Sequence, residues 1–231
     1  MSLPLHQTDS KSLLCSWSGG KDSCFALMKM LEGDFTLSGL LNVTNETGSR
    51  SRSHGLKPEI LTAQAKSLGT SIRFVSSSWQ EYESNFITSL QHLKFDLTIS
   101  DIVYGDIDIE SHKEWEEKVS NAAGLKAHLP LWQGNRIALV EQMVDSGIKA
   151  MIVSCNKTLG ASFLGRIIDK KIISEFKKLG IDPCGENGEY HTVVLHCPIF
   201  KKEVAVVSGK HLEASNYHFL DLSLQDEQTQ Q

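Results

Sequence analysis

The chain has 231 residues, 40% of them apolar and 22% charged, with a formal net charge of −5. That is the balance of a soluble globular protein. It excludes a membrane-spanning chain, because no apolar run is long enough, and it disfavours a nucleic-acid binder, which would carry a basic face. The five cysteines, Cys15, Cys24, Cys155, Cys184 and Cys197, are odd in number and never in Cys-x-x-Cys spacing, which argues against a disulfide framework or a zinc ribbon; with no signal-peptide pattern at the start, the expected location is cytoplasmic.

Residues 1–11 read as a flexible leader. Leu13, Leu14 and Cys15 form a short apolar run, Ser16 to Ser23 a turn of small polar residues with paired glycines, and Cys24 to Leu31 a run of helix formers. The pattern is strand, anion-binding turn and helix. Gly19 and Gly20 let backbone N–H groups approach a ligand, the helix start adds unpaired donors, Lys21 adds charge, and Ser18 and Ser23 add hydroxyls. Because no further glycine stands four residues before a Gly-Lys-Ser/Thr ending, the turn is not a Walker A loop.

Thr36 to Val43 reads as a second strand, followed by a polar stretch to His54, a helix over Pro58 to Leu68 stopped by Gly69, and a third strand over Ser71 to Val75. Gln80 to Leu93 has helical spacing, Leu97 to Tyr104 is an apolar strand running into Gly105 and Asp106, and Glu110 to Ala123 is again helical. Alternation on this spacing predicts right-handed β-α-β units, hence an α/β fold with a Rossmann-like, doubly wound parallel sheet over residues 12–130. Beyond a boundary near Leu129 to Arg136, the pattern gives a helix over Ile137 to Ser146, a strand over Ala150 to Ser154, irregular helix over Leu164 to Leu179, and strands over His191 to Leu195 and Glu203 to Ser208. Residues 131–224 are therefore expected to form a smaller C-terminal α+β substrate lobe, and 225–231 a disordered tail.

Ser18-Gly19-Gly20-Lys21-Asp22-Ser23 resembles the pyrophosphate loop of the N-type ATP pyrophosphatases, the PP-loop superfamily. His54 with Gln64-Ala65, Gly105-Asp106-Ile107 with Glu114-Trp115, Leu129-Pro130-Leu131-Trp132 and Gly185-Glu186-Asn187-Gly188-Glu189-Tyr190-His191-Thr192 then follow in the order and spacing of the diphthine–ammonia ligase family. One departure is Gln133, which intervenes before Gly134 where the family commonly has the glycine directly after Pro-Leu-Trp. The resemblance implies an ATP-dependent ligase that adenylates the carboxylate of diphthine, a modified histidine of elongation factor 2, and amidates it with ammonia, releasing AMP and pyrophosphate.

On that resemblance ATP is expected at Ser16, Ser18, Gly19, Gly20, Lys21, Asp22, Ser23, His54, Gly105 and Asp106, with Mg²⁺ on Asp22 or Asp106. Diphthine carries a trimethylammonium group and ammonia arrives as ammonium. Glu186 and Glu189 are therefore expected to collect positive charge, Glu189 or His191 to remove a proton, and Trp132 and Tyr190 to wall the quaternary ammonium, with Asn187 beside them. Lys21, Glu186, Glu189 and His191 are the candidate catalytic residues. Plainer readings stay open: a helix-start acid for Asp22, a turn residue for Asp106, an exposed loop imidazole for His54, and ordinary packing for Trp132 and Tyr190. Cys184, His191, His196 and Cys197 fit no common zinc spacing.

The expected partners are ATP, ammonium and elongation factor 2, without membrane or nucleic acid, and a homo-oligomer is compatible with the chain. The alternatives are a tRNA-modifying enzyme on the same loop and a non-catalytic adenine-nucleotide-binding protein.

Overall fold

A computed structural model describes residues 10–225. The expected leader and tail fall outside the described residues, apart from Ser10, Lys11 and Gln225. Lys11 already belongs to the first strand, and its N–H donates to Asp34 O at 2.8 Å.

The strands β1 (Lys11–Ser16), β2 (Phe35–Thr44), β3 (Ile72–Ser76), β4 (Asp101–Val103) and β5 (Lys126–His128) form a parallel sheet in the order β3-β2-β1-β4-β5. The connecting helices are α1 (Lys21–Leu31), α2 (Pro58–Leu68), α3 (Tyr82–Leu97) and α4 (Glu110–Ala122). Strands covered on both faces need consecutive apolar residues rather than alternation. Leu13, Cys15 and Leu40 accordingly pack with Leu27, Ile60 and Leu61 of α1 and α2, while Leu14, Leu41 and Ile102 pack with Phe86, Leu90 and Val119 of α3 and α4. The order reverses between β1 and β4, and in an open α/β sheet such a reversal opens a crevice at the carboxyl ends of the strands.

The second lobe holds α5 (Arg136–Asp145), β6 (Lys149–Asn156), α6 (Lys170–Leu179), β7 (Tyr190–His196), β8 (Val206–Ala214) and β9 (Tyr217–Leu224). Its antiparallel sheet runs β7-β6-β9-β8. Ile152, Phe176 and Val194 of this lobe join the same buried cluster as Leu13 and Leu27, so the two lobes share a core.

Several expectations need correction. The apolar stripe of α3 continues through Leu97 before Thr98 ends the helix at φ 50°, so the strand expected over Leu97 to Tyr104 shrinks to Asp101–Val103. The expected helix over Leu164 to Leu179 begins only at Lys170, where Asp169 caps the N–H of Ile172 at 2.8 Å; the preceding stretch is tied to β6 by Ile152 N–H to Arg166 O and Ile168 N–H to Ala150 O. The last predicted strand starts at Val206 rather than Glu203, and β5 and β9 were not anticipated.

Candidate active site

The loop between β1 and α1 takes its shape from what surrounds it. Gly19 has φ +84°, and a Cβ there would stand 2.5 Å from Leu61 Cδ2. A Cβ on Gly20 would collide with His54 Cε1. Gly19 O accepts from Gln64 Nε2 at 3.0 Å and from Val194 N–H at 2.8 Å. Gln64, fully buried, also donates to Val194 O at 2.7 Å and accepts from Trp17 Nε1 at 2.8 Å. Lys21 N–H donates to Thr192 Oγ1 at 3.1 Å, Gly20 N–H donates to Ser18 Oγ at 3.2 Å, and the Ser18 and Ser23 hydroxyls are 3.0 Å apart. Gly105, at the end of β4, lies over the first turn of α1, where a Cβ would be 2.6 Å from Ser23 N. Glycine there leaves the positive end of the α1 dipole open.

The Lys21 ammonium is buried, donates to both carboxylate oxygens of Asp22 at 2.9 and 2.8 Å and to Cys184 O at 2.5 Å, and sits 5.3 Å from the centre of the Tyr190 ring. Burial alone would lower its pKa, but Asp22 and the other groups around it outweigh burial and hold the pKa well above the usual lysine value. The His54 and His191 rings lie tilted at 44° to each other with centres 4.8 Å apart. Burial lowers the pKa of His54 to about 4, against the opposing hydrogen bond to Thr192 O at 2.7 Å; burial, with His54 and Lys21 nearby, lowers that of His191 to about 3. Both imidazoles are neutral at pH 7.

Opposite the loop stand acids. Burial, then the Asp22 carboxylate, pushes the Glu186 pKa up to about 8. Burial and the neighbouring Asp106 push Glu116 up to about 11. Burial would raise Asp106 too, but hydrogen bonds from His112, whose Nδ1 is 2.6 Å away, and from Glu116 hold it below the usual carboxylate value.

Ser16, Ser18, Lys21, Asp22 and Ser23 line one cleft of about 740 Å³. His54, Gly105, Asp106, Glu186, Tyr190 and His191 line the same cleft. Gly19 and Gly20 stand behind it as backbone. Glu189, Asn187 and Trp132 do not line it: Glu189 accepts from the backbone and side-chain nitrogens of Asn187 at 3.1 and 3.2 Å, and Trp132 lies under the Lys113 ammonium at 5.3 Å. The Tyr190 hydroxyl donates to Pro183 O at 2.5 Å and turns only its ring toward Lys21. The extra residue Gln133 is accommodated at φ 57°, its N–H donating to Ile107 O at 2.6 Å.

Arg52, placed by sequence in a ligand loop after β2 but given no role, lines the cleft, and so do Tyr82 and Glu116, which sequence reading missed. Glu116 is one of three glutamates between positions 114 and 117, and only packing distinguishes the buried one. Among the described residues no group of three or more His, Cys, Asp or Glu is arranged to hold a metal ion. None of the described helices is long and apolar enough to cross a membrane.

A glycine loop and lysine at the crossover of a parallel sheet, with the start of α1 opening on a cleft, define an α/β protein of the nucleotide-binding PP-loop class. Residues 11–127 match the family model described as the diphthamide synthase N-terminal domain, and residues 135–225 match the one described as the diphthamide synthase C-terminal domain. The chain belongs to the diphthamide synthase family. It is 29% identical over 244 residues to a Homo sapiens protein named diphthine–ammonia ligase, covering 90% of this chain and 91% of that one. A Schizosaccharomyces pombe protein of the same name is 31% identical over 224 residues, a match that covers 86% of this chain and 36% of the longer yeast protein. Among solved structures, a predicted subunit of tRNA methyltransferase from Methanocaldococcus jannaschii aligns with a TM-score of 0.44 at 15% identity, over 84% of this chain and all of that one.

Proposed function

We propose that this chain is an ATP-dependent, amide-forming ligase that adenylates the carboxylate of diphthine on elongation factor 2 and amidates it with ammonia. The observation that carries this reading is that the loop Ser18 to Ser23 and the turn Cys184 to Thr192 face each other across one cleft, linked by Lys21. A carboxylate oxygen of the acceptor attacks the α-phosphorus of ATP, the bond to the β-phosphate bridging oxygen breaks, and pyrophosphate leaves. The nitrogen of ammonia then attacks the acyl carbon, and AMP departs with the electron pair of the acyl–oxygen bond.

Lys21, the start of α1 and the hydroxyls of Ser18 and Ser23 hold the departing pyrophosphate. Ser16, His54 and Gly105 border the nucleotide. Glu186, with its pKa near neutrality, takes the proton that ammonium must lose to become nucleophilic. Glu189 braces the turn through Asn187, and His191 remains a neutral neighbour of the phosphates. The carboxylates of Asp22 and Asp106 suit a Mg²⁺ ion, which would supply charge neutralisation on the triphosphate when bound; both carboxylates push up the pKa of Glu186 across the cleft, a negative field that such a cation would offset. Ammonium is the nitrogen source on this reading.

Incubation with ATP, Mg²⁺, ammonium and diphthine-bearing elongation factor 2 tests the proposal. AMP, pyrophosphate and an amidated acceptor, seen by mass, are expected. ADP instead of AMP, or no acceptor-dependent turnover, overturns it.

A further inference from the structure

The end of the cleft under α3 and α4 has a composition that the phosphate loop does not explain. Its wall is aromatic: Tyr82 lies 5.4 Å from Trp115, Phe86 5.1 Å from Trp115, and Trp79 5.7 Å from Tyr82, between ring centres. Two buried polar atoms there lack partners among the described residues. One is Oε2 of Glu116, a residue only 5% exposed that shares a hydrogen bond with Asp106. The other is Nε of Arg52, whose guanidinium lies 4.3 Å from the centre of the Trp79 ring and donates through Nη2 to Ser77 O. An unpartnered buried polar atom costs stability unless a ligand or water satisfies it. All these side chains except Ser77 border the cleft that holds Lys21.

A guanidinium with a free N–H calls for a carboxylate, and a wall of aromatic faces calls for a cation that needs no hydrogen-bond acceptors. One small group satisfies both when it carries the two charges on a single carbon. We infer that this aromatic end is the seat of a quaternary-ammonium α-carboxylate, with Arg52 receiving the carboxylate and the rings of Tyr82 and Trp115 receiving the trimethylammonium. The inference rests on the ligase reading above, since the end group of diphthine is of this chemical class. It also places the cationic group away from Trp132 and Glu189, which do not line the cleft.

The methyl groups exclude N–H donors, so the rings and not the acceptors select them. Arg52 is a positioning residue on this view: it turns the carboxylate so that one oxygen is presented toward the phosphate loop.

The test uses the full chain and 2-(trimethylammonio)butyrate as probe, followed by tryptophan fluorescence from Trp79 and Trp115 and by calorimetry. Quenching is expected, with binding weakened about tenfold or more when the methyl groups are removed (2-aminobutyrate) or the carboxylate is removed (propyltrimethylammonium). Arg52→Gln should erase the preference for the carboxylate-bearing probe and raise the KM for the protein acceptor, with Arg52→Lys restoring part of both. Trp115→Leu should weaken the two quaternary probes alike. Affinity for ATP should be unchanged in all three variants. If the probe binds these variants as it binds the parent, or if they lose ATP affinity instead of acceptor affinity, the inference is overturned and the aromatic end belongs to the nucleotide base. Failure of the ligase reading is separately visible, as absence of AMP release with the diphthine-bearing acceptor.

Discussion

The ammonium of Lys21, at the start of α1, donates to the carbonyl oxygen of Cys184 in the C-terminal lobe at 2.5 Å. The lysine proposed to face the phosphates is therefore positioned from outside its own loop, with Asp22 as its second anchor. A bound triphosphate competes for that ammonium with partners already in place. Lys21→Ala is expected to lower ATP turnover by about 100-fold or more, the scale of losing one preorganised charge at a reacting phosphate, with pyrophosphate release as the measurement. Turnover within a few-fold of the parent would remove Lys21 from the mechanism.

Gly105 matters for what it leaves uncovered. A methyl group there would stand 2.6 Å from Ser23 N and 2.8 Å from the Asp22 carbonyl carbon. Both are backbone atoms that cannot swing aside. Gly105→Ala should therefore reduce ATP affinity, read by calorimetry, while leaving far-ultraviolet circular dichroism unchanged.

Gln64 ties Trp17, Gly19 and Val194 together with one side-chain amide. Gln64→Leu has a similar volume but leaves the Trp17 indole N–H and the Val194 carbonyl short of a partner. Each buried group left so costs about 1–3 kcal/mol, and a loss on the order of 3 kcal/mol in urea-denaturation stability is the expected result. A change under about 0.5 kcal/mol, the range of ordinary surface substitutions, would show that the amide is not a structural tie.

The two imidazoles beside the loop predict an acid-sensitive fold. Their native pKa values, about 4 for His54 and about 3 for His191, lie below the unfolded value of about 6.5. The unfolded chain thus binds more protons in this range, so the contribution of each histidine is present above pH 6.5 and is lost as pH falls toward the native value. Melting temperature should rise from pH 4 to pH 6.5, and His54→Asn should flatten that rise. An unaltered slope would show that His54 is not held neutral.

Much of the fold was legible because parallel strands and their helices leave strong marks. The apolar pairs Leu13-Leu14 and Leu40-Leu41 announce a sheet buried on both faces, and Pro58 with Gly69 brackets α2 to the residue. The loop was legible for the same reason, since its glycines answer to backbone geometry. The β8 and β9 hairpin was harder to read, because β8 is exposed along most of its length and carries no alternation. Longer-range features were hidden altogether. Nothing local distinguishes Glu116 from its neighbours, or shows that Arg52, Tyr82 and Trp115, brought by three different segments, meet at one end of a cleft. Trp132 and Glu189 sit in persuasive motifs, yet the first stacks beneath Lys113 and the second braces a turn.

The threads between β7 and the glycine loop, Val194 N–H to Gly19 O and Lys21 N–H to Thr192 Oγ1, have a consequence for how this molecule can be divided. A fragment ending near residue 130 would retain every residue of the glycine loop and lose the contacts that give it its shape. Neither half, expressed by itself, would carry a working loop. Mixing the two pieces would restore nucleotide binding only to the extent that they reassociate along the core they share.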